Sequence, residues 1–330
     1  RLPCSGSQPS AQAGLATATS ANACRLAEEA GLRLAGLFSS WEAGAIHPIF
    51  FSPQVQLIPL HTHSLPPSTY TNAYLVGHDP AYLLDPGTSA AAEQERLFAV
   101  LDKFQAGGGR LSAVVLTHHH PDHVGAANVC AARYGLPIVG HALTAQALEG
   151  QIVLSRHIAD GDRLDLGTAP DGSGAWYLEA IHTPGHASGH VAFFERHYRL
   201  LFAGDMVSTL SSVVIAPPDG DLAVYLASLE RLRALNCRLL LPAHGSASAR
   251  PTQTIDECVA HRIKREEQLL AALGSGSRSV AELAQELYKG LPAQMMKFAE
   301  LQVLAGLRKL QAEGRVQAVP QDKGEVWRRQ

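Results

Sequence analysis

The chain has 330 residues, of which 46% are hydrophobic and 17% charged, with a net charge of -3 and a pI of about 6.6. This composition fits a packed globular protein of one large domain with one or two smaller units, and it excludes a disordered chain. It also excludes a globally cationic surface for nucleic acid or anionic lipid, and no apolar run approaches the ~20 residues of a membrane span.

In chain order, residues 1 to about 24 are rich in Ala, Ser and Gly and read as flexible. Arg1 in place of Met points to a truncated or processed start, and no charged-then-apolar leader pattern is visible. CRLAEEAGL, residues 24–32, is helix-like. Its Glu28, Glu29 and Gly31 resemble the tail of a Nudix box, but Cys24 and Arg25 replace the expected Arg and Glu. The stretch reads either as an amphipathic surface helix or as the remnant of a Nudix domain. Residues 1–52 are taken as a flexible amino-terminal segment.

From 53 to 250 short apolar runs alternate with helical stretches. VQLIPL, NAYLV, AYLLDPG and LSAVVLTH read as strands, the last running into a histidine-rich loop. GAANVCAARYG is a helix closed by Gly135. PIVGH, AWYLEAIHTPGH, YRLLFAGD and CRLLLPAHG are further strands, each ending at a polar loop. DLAVYLASLERLRAL is a helix with Asp221 as its N-cap. A Ser, Ala, Pro and Thr-rich connector covers about 246–254. Three helical stretches follow, IDECVAHRIKREEQLLAAL, SVAELAQELYKGL and MKFAELQVLAGLRKLQAEG, and then a hairpin-like tail, GRVQAVPQDKGEVWRR. Helices before a hairpin suggest a small winged-helix-like domain over 251–330. From Arg250 onward there are 13 Lys+Arg against 10 Asp+Glu, a weakly basic balance. The alternative is a helical cap on the catalytic domain.

The chemistry is concentrated in THHHPDHVG, residues 117–125. His118 and His120 alternate as strand-end residues do and can face one ion, while Asp122 and His123 can face a second. Four such side chains would be costly to bury without partners. His186 in TPGHASGH, Asp205 in AGDM and His244 in PAHG each follow an apolar strand and complete two sites. The first is His118, His120 and His186; the second is Asp122, His123 and His244; Asp205 bridges them beside a water. Imidazole and carboxylate donors suit Zn2+, with Mn2+ or Fe2+ as alternatives. Two metals sharing a water lower its pKa and supply hydroxide at neutral pH, with Asp122 orienting it as a catalytic residue. Asp85 is expected to orient the ligand loop. His141, His182, His190, Asn72, Tyr74 and Thr183 are expected to be structural or substrate-lining, and His119 to point away. Five scattered cysteines without C-x-x-C spacing favour a reducing, cytoplasmic setting over a disulfide framework.

The motif order His-x-His-x-Asp-His followed by His, Asp and His resembles the metallo-β-lactamase superfamily. The likeness implies an αββα sandwich with the metals at one edge of the sheets. TPGHASGH, SSVVIAPPDGDLAVYLASLERLRAL, PAHG and AHRIKREEQLLAAL are similar to the β-lactamase-like protein 2 group, which carries a carboxyl-terminal winged-helix-like domain. That group's described activity, in some members, is cleavage of single-stranded RNA. Asp205 stands where many zinc β-lactamases use cysteine, and glyoxalase II shares the ligands. The winged-helix-like tail and the resemblance lean toward a phosphodiesterase or endoribonuclease, with a thioester or lactone hydrolase and a non-catalytic metal-binding regulatory protein as the alternatives.

Overall fold

A computed structural model of the protein describes residues 48–52, 54–321 and 324–330. The 24–32 stretch and its Nudix likeness lie outside the described residues. Seven strands form a first sheet in sequential order: β1 (Ile49–Ser52), β2 (Val55–His61), β3 (Tyr70–Gly77), β4 (Ala81–Leu84), β5 (Leu111–Val115), β6 (Ile138–His141) and β7 (Arg156–Ile158). The pairing is antiparallel as far as β4 and parallel from there. The second sheet runs in reverse order from β12 (Leu239–His244) through β11 (Leu200–Ser208), β10 (Val191–Glu195) and β9 (Ala175–His182) to β8 (Arg163–Thr168). Within it only β11 and β12 are parallel.

The two-residue period of a strand explains the layering. On β4 and β5, Tyr82, Leu84, Ala113 and Val115 join Trp176, Phe193, Phe202 and Leu241 of the other sheet in the core between them. The alternate residues, Ala81, Leu83, Val114 and Leu116, face Leu97, Phe98 and Leu101 of the Ala91–Ala106 helix and Cys130 of the Ala127–Tyr134 helix. On the second sheet Ala192, Phe194, Leu201, Ala203 and Leu240 pack under Tyr225, Leu229 and Leu232 of the Leu222–Ala234 helix and under Ile255. The result is the expected αββα sandwich. The sequence signals that set its helices hold in detail: Asp221 Oδ1 accepts the Val224 N–H at 2.9 Å, and Gly135 ends its helix in the left-handed region at φ 65°.

The carboxyl-terminal unit has its own core of Leu283, Val303, Leu307, Leu310, Val316 and Trp327. Ser279 and Glu282 form a reciprocal capping box on the Val280–Leu287 helix. The Met296–Ala312 helix leads into β14 (Val316–Gln321) and β15 (Gly324–Arg329), which close a small sheet with β13 (Arg278–Ser279). The sequence reading assigned no element to the helices Ala91–Ala106 and Ala142–Ala147 or to β7 and β8, and two assignments that it did make differ. Ile49–Ser52, assigned above to the flexible segment, pairs with β2 as the edge strand. The helix placed from Ile255 begins at Pro251, because proline fits the first helical turn, where its missing N–H is not needed. That helix, Pro251–Leu273, serves both cores: Ile255 lies in the sandwich layer, and Leu269, Leu270 and Leu273 lie in the carboxyl-terminal one.

Candidate metal centre

The loops that follow β5 and β9 meet Asp205, within β11, and His244, the last residue of β12, at one edge of the sandwich. There the structure brings together two sets of side chains: His118, His120, His186 and Asp205, and Asp122, His123 and His244. Within each set the potential ligand atoms lie within 4.8 Å of one another. His120 Nδ1 is 2.9 Å from both His118 Nε2 and His186 Nε2, and those two are 3.3 Å apart. Tetrahedral ligation at a metal–nitrogen distance of about 2.05 Å places ligand nitrogens about 3.3 Å from one another. Asp205 faces both sets. Its Oδ2 is 3.4 Å from His186 Nε2, and its Oδ1 is 3.4 Å from His123 Nε2 and 3.3 Å from His244 Nε2. Asp122 Oδ2 lies 3.4 Å from His244 Nε2.

The outer ring nitrogens fix which way the lone pairs point. Asp85 accepts the Thr117 N–H at 2.8 Å and the Thr117 hydroxyl at 2.7 Å. Because that hydroxyl proton is committed, Thr117 Oγ1 serves His118 Nδ1 as acceptor at 3.0 Å. Asp85 Oδ2 also accepts from His123 Nδ1 at 2.9 Å. His186 Nδ1 donates to the Val214 carbonyl at 2.8 Å and His244 Nδ1 to the Tyr70 carbonyl at 3.0 Å. In the neutral tautomers so defined, four Nε2 lone pairs point inward, as metal ligation requires.

Electrostatics divide the two sets. Burial, followed by the neighbouring imidazoles, holds His118 well below the usual histidine range and brings His120 down to about 3; burial also lowers His186. Burial opposes protonation of His123 and His244 as well, but the surrounding carboxylates prevail. Asp205, Asp85 and Asp122 raise His123 well above its ordinary value, and Asp205 and Asp122 lift His244 to about 10. Asp122 and Asp205 are pushed up by burial yet held well below the carboxylate range by His123 and His244.

The residues fit divalent cations. His123 Nε2 and Asp205 Oδ1 are buried and have no hydrogen-bond partner. Orphaned groups of this kind cost about 1–3 kcal/mol each, and a shared cation removes that cost.

The other residues singled out by sequence take supporting places. His190 accepts the Asp205 N–H on Nε2 at 3.0 Å and meets the Thr183 hydroxyl on Nδ1 at 2.8 Å, so it orients Asp205 from behind. Asn72 and Tyr74 donate to the Pro242 carbonyl at 2.9 and 2.8 Å, just before His244. His141 and His182 stack on each other with ring centroids 4.2 Å apart. His119 belongs to neither set and lies 3.9 Å from Asp219.

Sequence reasoning missed Ser64, which donates to Asp122 Oδ2 at 2.7 Å, and Ser68, 3.1 Å from His244 Nδ1. Their only signal was a polar loop between two strands. It also missed Gly87, where a Cβ would sit 1.8 Å from the Asp122 carbonyl oxygen. Gly87→Ala is therefore expected to displace the loop carrying Asp122 and His123, lowering both metal content and melting temperature. Elemental analysis and thermal unfolding check this, and wild-type values for both would contradict it.

A sandwich of this layering with a convergent His/Asp cluster defines a metal-dependent hydrolase. Residues 67–244 match the family model described as the metallo-β-lactamase superfamily, and residues 279–327 match the β-lactamase-associated winged helix domain. The chain belongs to the metallo-β-lactamase superfamily. It is 33% identical over 232 residues to a hydroxyacylglutathione hydrolase of Methylococcus capsulatus, covering 68% of this chain and 86% of that one. It is 26% identical over 253 residues to a β-lactamase-like protein 2 homologue of Caenorhabditis elegans, covering 75% and 80%. A metallo-β-lactamase family protein of Thermus thermophilus superposes with a TM-score of 0.69 at 25% identity, over 85% of this chain and all of that one.

Proposed function

We propose that the protein is a dinuclear zinc hydrolase of small acyl thioesters. In this reading His118, His120, His186 and Asp205 hold one ion, Asp122, His123 and His244 hold the second, and Asp205 bridges them. The catalytic unit spans 53–250 and the winged-helix-like unit 251–330, with 1–52 preceding them. Five imidazoles and two carboxylates form a donor set suited to zinc. Bound ions of this class supply Lewis-acid polarisation of a carbonyl and a water of lowered pKa.

The chain's own contribution is orientation. The Ser64 hydroxyl fixes Asp122 through Oδ2, leaving Oδ1 to accept a hydrogen bond from the attacking water. Asp85 and Thr117 hold the rings of His118 and His123, and His190 holds the backbone of Asp205.

The observation that carries the choice of substrate is the exposure of three large hydrophobic side chains on the segments that bear the centre. Leu65, Tyr70 and Leu210 are 37%, 46% and 52% exposed. All three lie on segments that touch the centre: Leu65 lies between Ser64 and Ser68, the Tyr70 carbonyl accepts from His244, and Leu210 packs beside Gly245. Exposed apolar side chains on these segments suit an acyl chain, whereas single-stranded RNA draws on cationic contacts to phosphate. The identity to a protein named as a hydroxyacylglutathione hydrolase supports the same choice.

The test is turnover of a chromogenic acyl thioester and of a single-stranded RNA by the zinc-loaded wild type and by His118→Ala. Thioester hydrolysis that falls at least ~100-fold in the variant is expected, by analogy with losses at single transition-state donors. RNA cleavage without thioester turnover would replace this reading with the phosphodiesterase one. Metal binding without turnover of either would favour a regulatory metal-binding protein.

A further inference from the structure

The carboxyl-terminal helices reach the metal centre through one short segment. Residues 209–221 contain no helix or strand, so their path is fixed by contacts rather than by a hydrogen-bond ladder. Within that segment the Val214 carbonyl accepts the His186 Nδ1 hydrogen bond. Its two neighbours are held from the carboxyl-terminal unit. Gln302, on the Met296–Ala312 helix, donates Nε2 to the Val213 carbonyl at 2.8 Å and accepts the Ile215 N–H on Oε1 at 3.3 Å. One side-chain amide thus straddles Val214.

Arg262, on the Pro251–Leu273 helix, adds a second grip. It donates Nη2 to the same Val213 carbonyl at 2.5 Å, and its guanidinium lies 5.2 Å from the centre of the Tyr225 ring. The Tyr225 hydroxyl in turn donates to the Met206 carbonyl at 2.8 Å, one residue beyond Asp205. Arg262 is 6% exposed and Tyr225 1%. Burying a guanidinium costs more than burying an apolar side chain of similar size, so packing alone gives no reason for an arginine here. The matching of its donor to the Val213 carbonyl does.

We propose that Gln302 and Arg262 are positioning residues of the metal centre. The winged-helix unit sets the direction of His186 through the Val213–Ile215 backbone and braces Asp205 through Tyr225. It thereby tunes metal affinity at the His118, His120, His186 and Asp205 set more than at the other. This inference rests on the reading of His186 and Asp205 as ligands.

The experiment is titration of the full chain with zinc alone against a chromophoric chelator. The proteins are wild type, Gln302→Leu, Gln302→Glu, Arg262→Met, Arg262→Lys, His186→Ala and the double variant His186→Ala/Gln302→Leu. Loss of an outer partner of a metal ligand typically costs 10- to 100-fold in affinity. Gln302→Leu is expected to weaken one zinc equivalent about tenfold and to change the other by less than about twofold, whereas Arg262→Met, which also touches the brace on Asp205, should weaken the same equivalent about tenfold and the other by a smaller factor. Gln302→Glu keeps the acceptor for Ile215 N–H, and Arg262→Lys keeps a donor for Val213, so both should recover part of the loss. Either also serves if its harsher counterpart fails to fold. In the His186→Ala background Gln302→Leu should add nothing, because its effect passes through that ring. Full, additive loss in that background would show general destabilisation and overturn the proposal. So would wild-type affinities in all the Gln302 and Arg262 variants while His186→Ala loses one equivalent. Two tight equivalents in His186→Ala would instead overturn the ligand reading, and the inference with it.

Discussion

Asp205→Ala is expected to empty both metal positions together and to abolish hydrolysis, the largest effect of any single substitution in the centre. Its two oxygens divide between the sets, Oδ2 toward His186 and Oδ1 toward His123 and His244. Removing it takes a donor from each set at once. It also leaves His123, 0% exposed, without the carboxylate that contributes most to its charge balance. The loss should exceed the roughly 10- to 100-fold that outer-shell partners command. His186→Ala, by contrast, should empty one position and spare the other. Elemental analysis of the two variants distinguishes them, and near-full loading of Asp205→Ala would overturn the bridging assignment.

The second large effect concerns protons. At pH 7 the rings of His118, His120 and His186 are held neutral, so a cation reaches them without displacing an imidazole proton. His123 lies well above its ordinary value and His244 at about 10, so filling their set must release a proton from each ring. Zinc should therefore occupy the first set first at neutral pH, and affinity at the second should climb with pH up to about 10. The dependence of binding heat on buffer ionisation reads this directly, and equal proton release at both steps would contradict it.

The metal-free protein follows from the same shifts. The stabilisation of His123 and His244 is complete below about pH 6.5 and is lost as pH rises through their folded values. The neutral rings of His118, His120 and His186 favour the fold above about 6.5 and oppose it as pH falls toward the value of about 3 at His120. The depressed carboxyls of Asp122 and Asp205 withdraw their share only below about pH 3.9. Melting of the chelated protein should accordingly be highest near pH 6.5.

The sandwich was legible because alternation and punctuation agree along most of the chain. Tyr82 and Leu84 against Ala81 and Leu83 is a strand buried on both faces, and the turn residues after it mark the end. The seven clustered side chains were legible because four share one loop and the others each come soon after an apolar run: His186 just past β9, Asp205 late in β11 and His244 at the end of β12. What escaped depends on contacts distant in sequence. Ser64 is 58 residues from Asp122 and Ser68 is 176 from His244, and no local pattern connects them. Gly87 looks like an ordinary turn glycine until the Asp122 backbone is brought against it. Ile49–Ser52 carries no alternation long enough to separate it from the polar stretch before it, and only pairing with β2 makes it a strand.

The Pro251–Leu273 helix has a consequence for how such a protein can be recombined. Its first half lines one core and its last turns line another, so neither unit comes away with a finished surface. A cut at 250–251 strips Ile255 from the sandwich, and a cut after Leu273 strands Leu269, Leu270 and Leu273 on the wrong fragment. The winged-helix unit is thus not a cassette that can be swapped at a linker. Any hybrid carrying it must inherit the whole helix, together with a sandwich already shaped to receive its first turns.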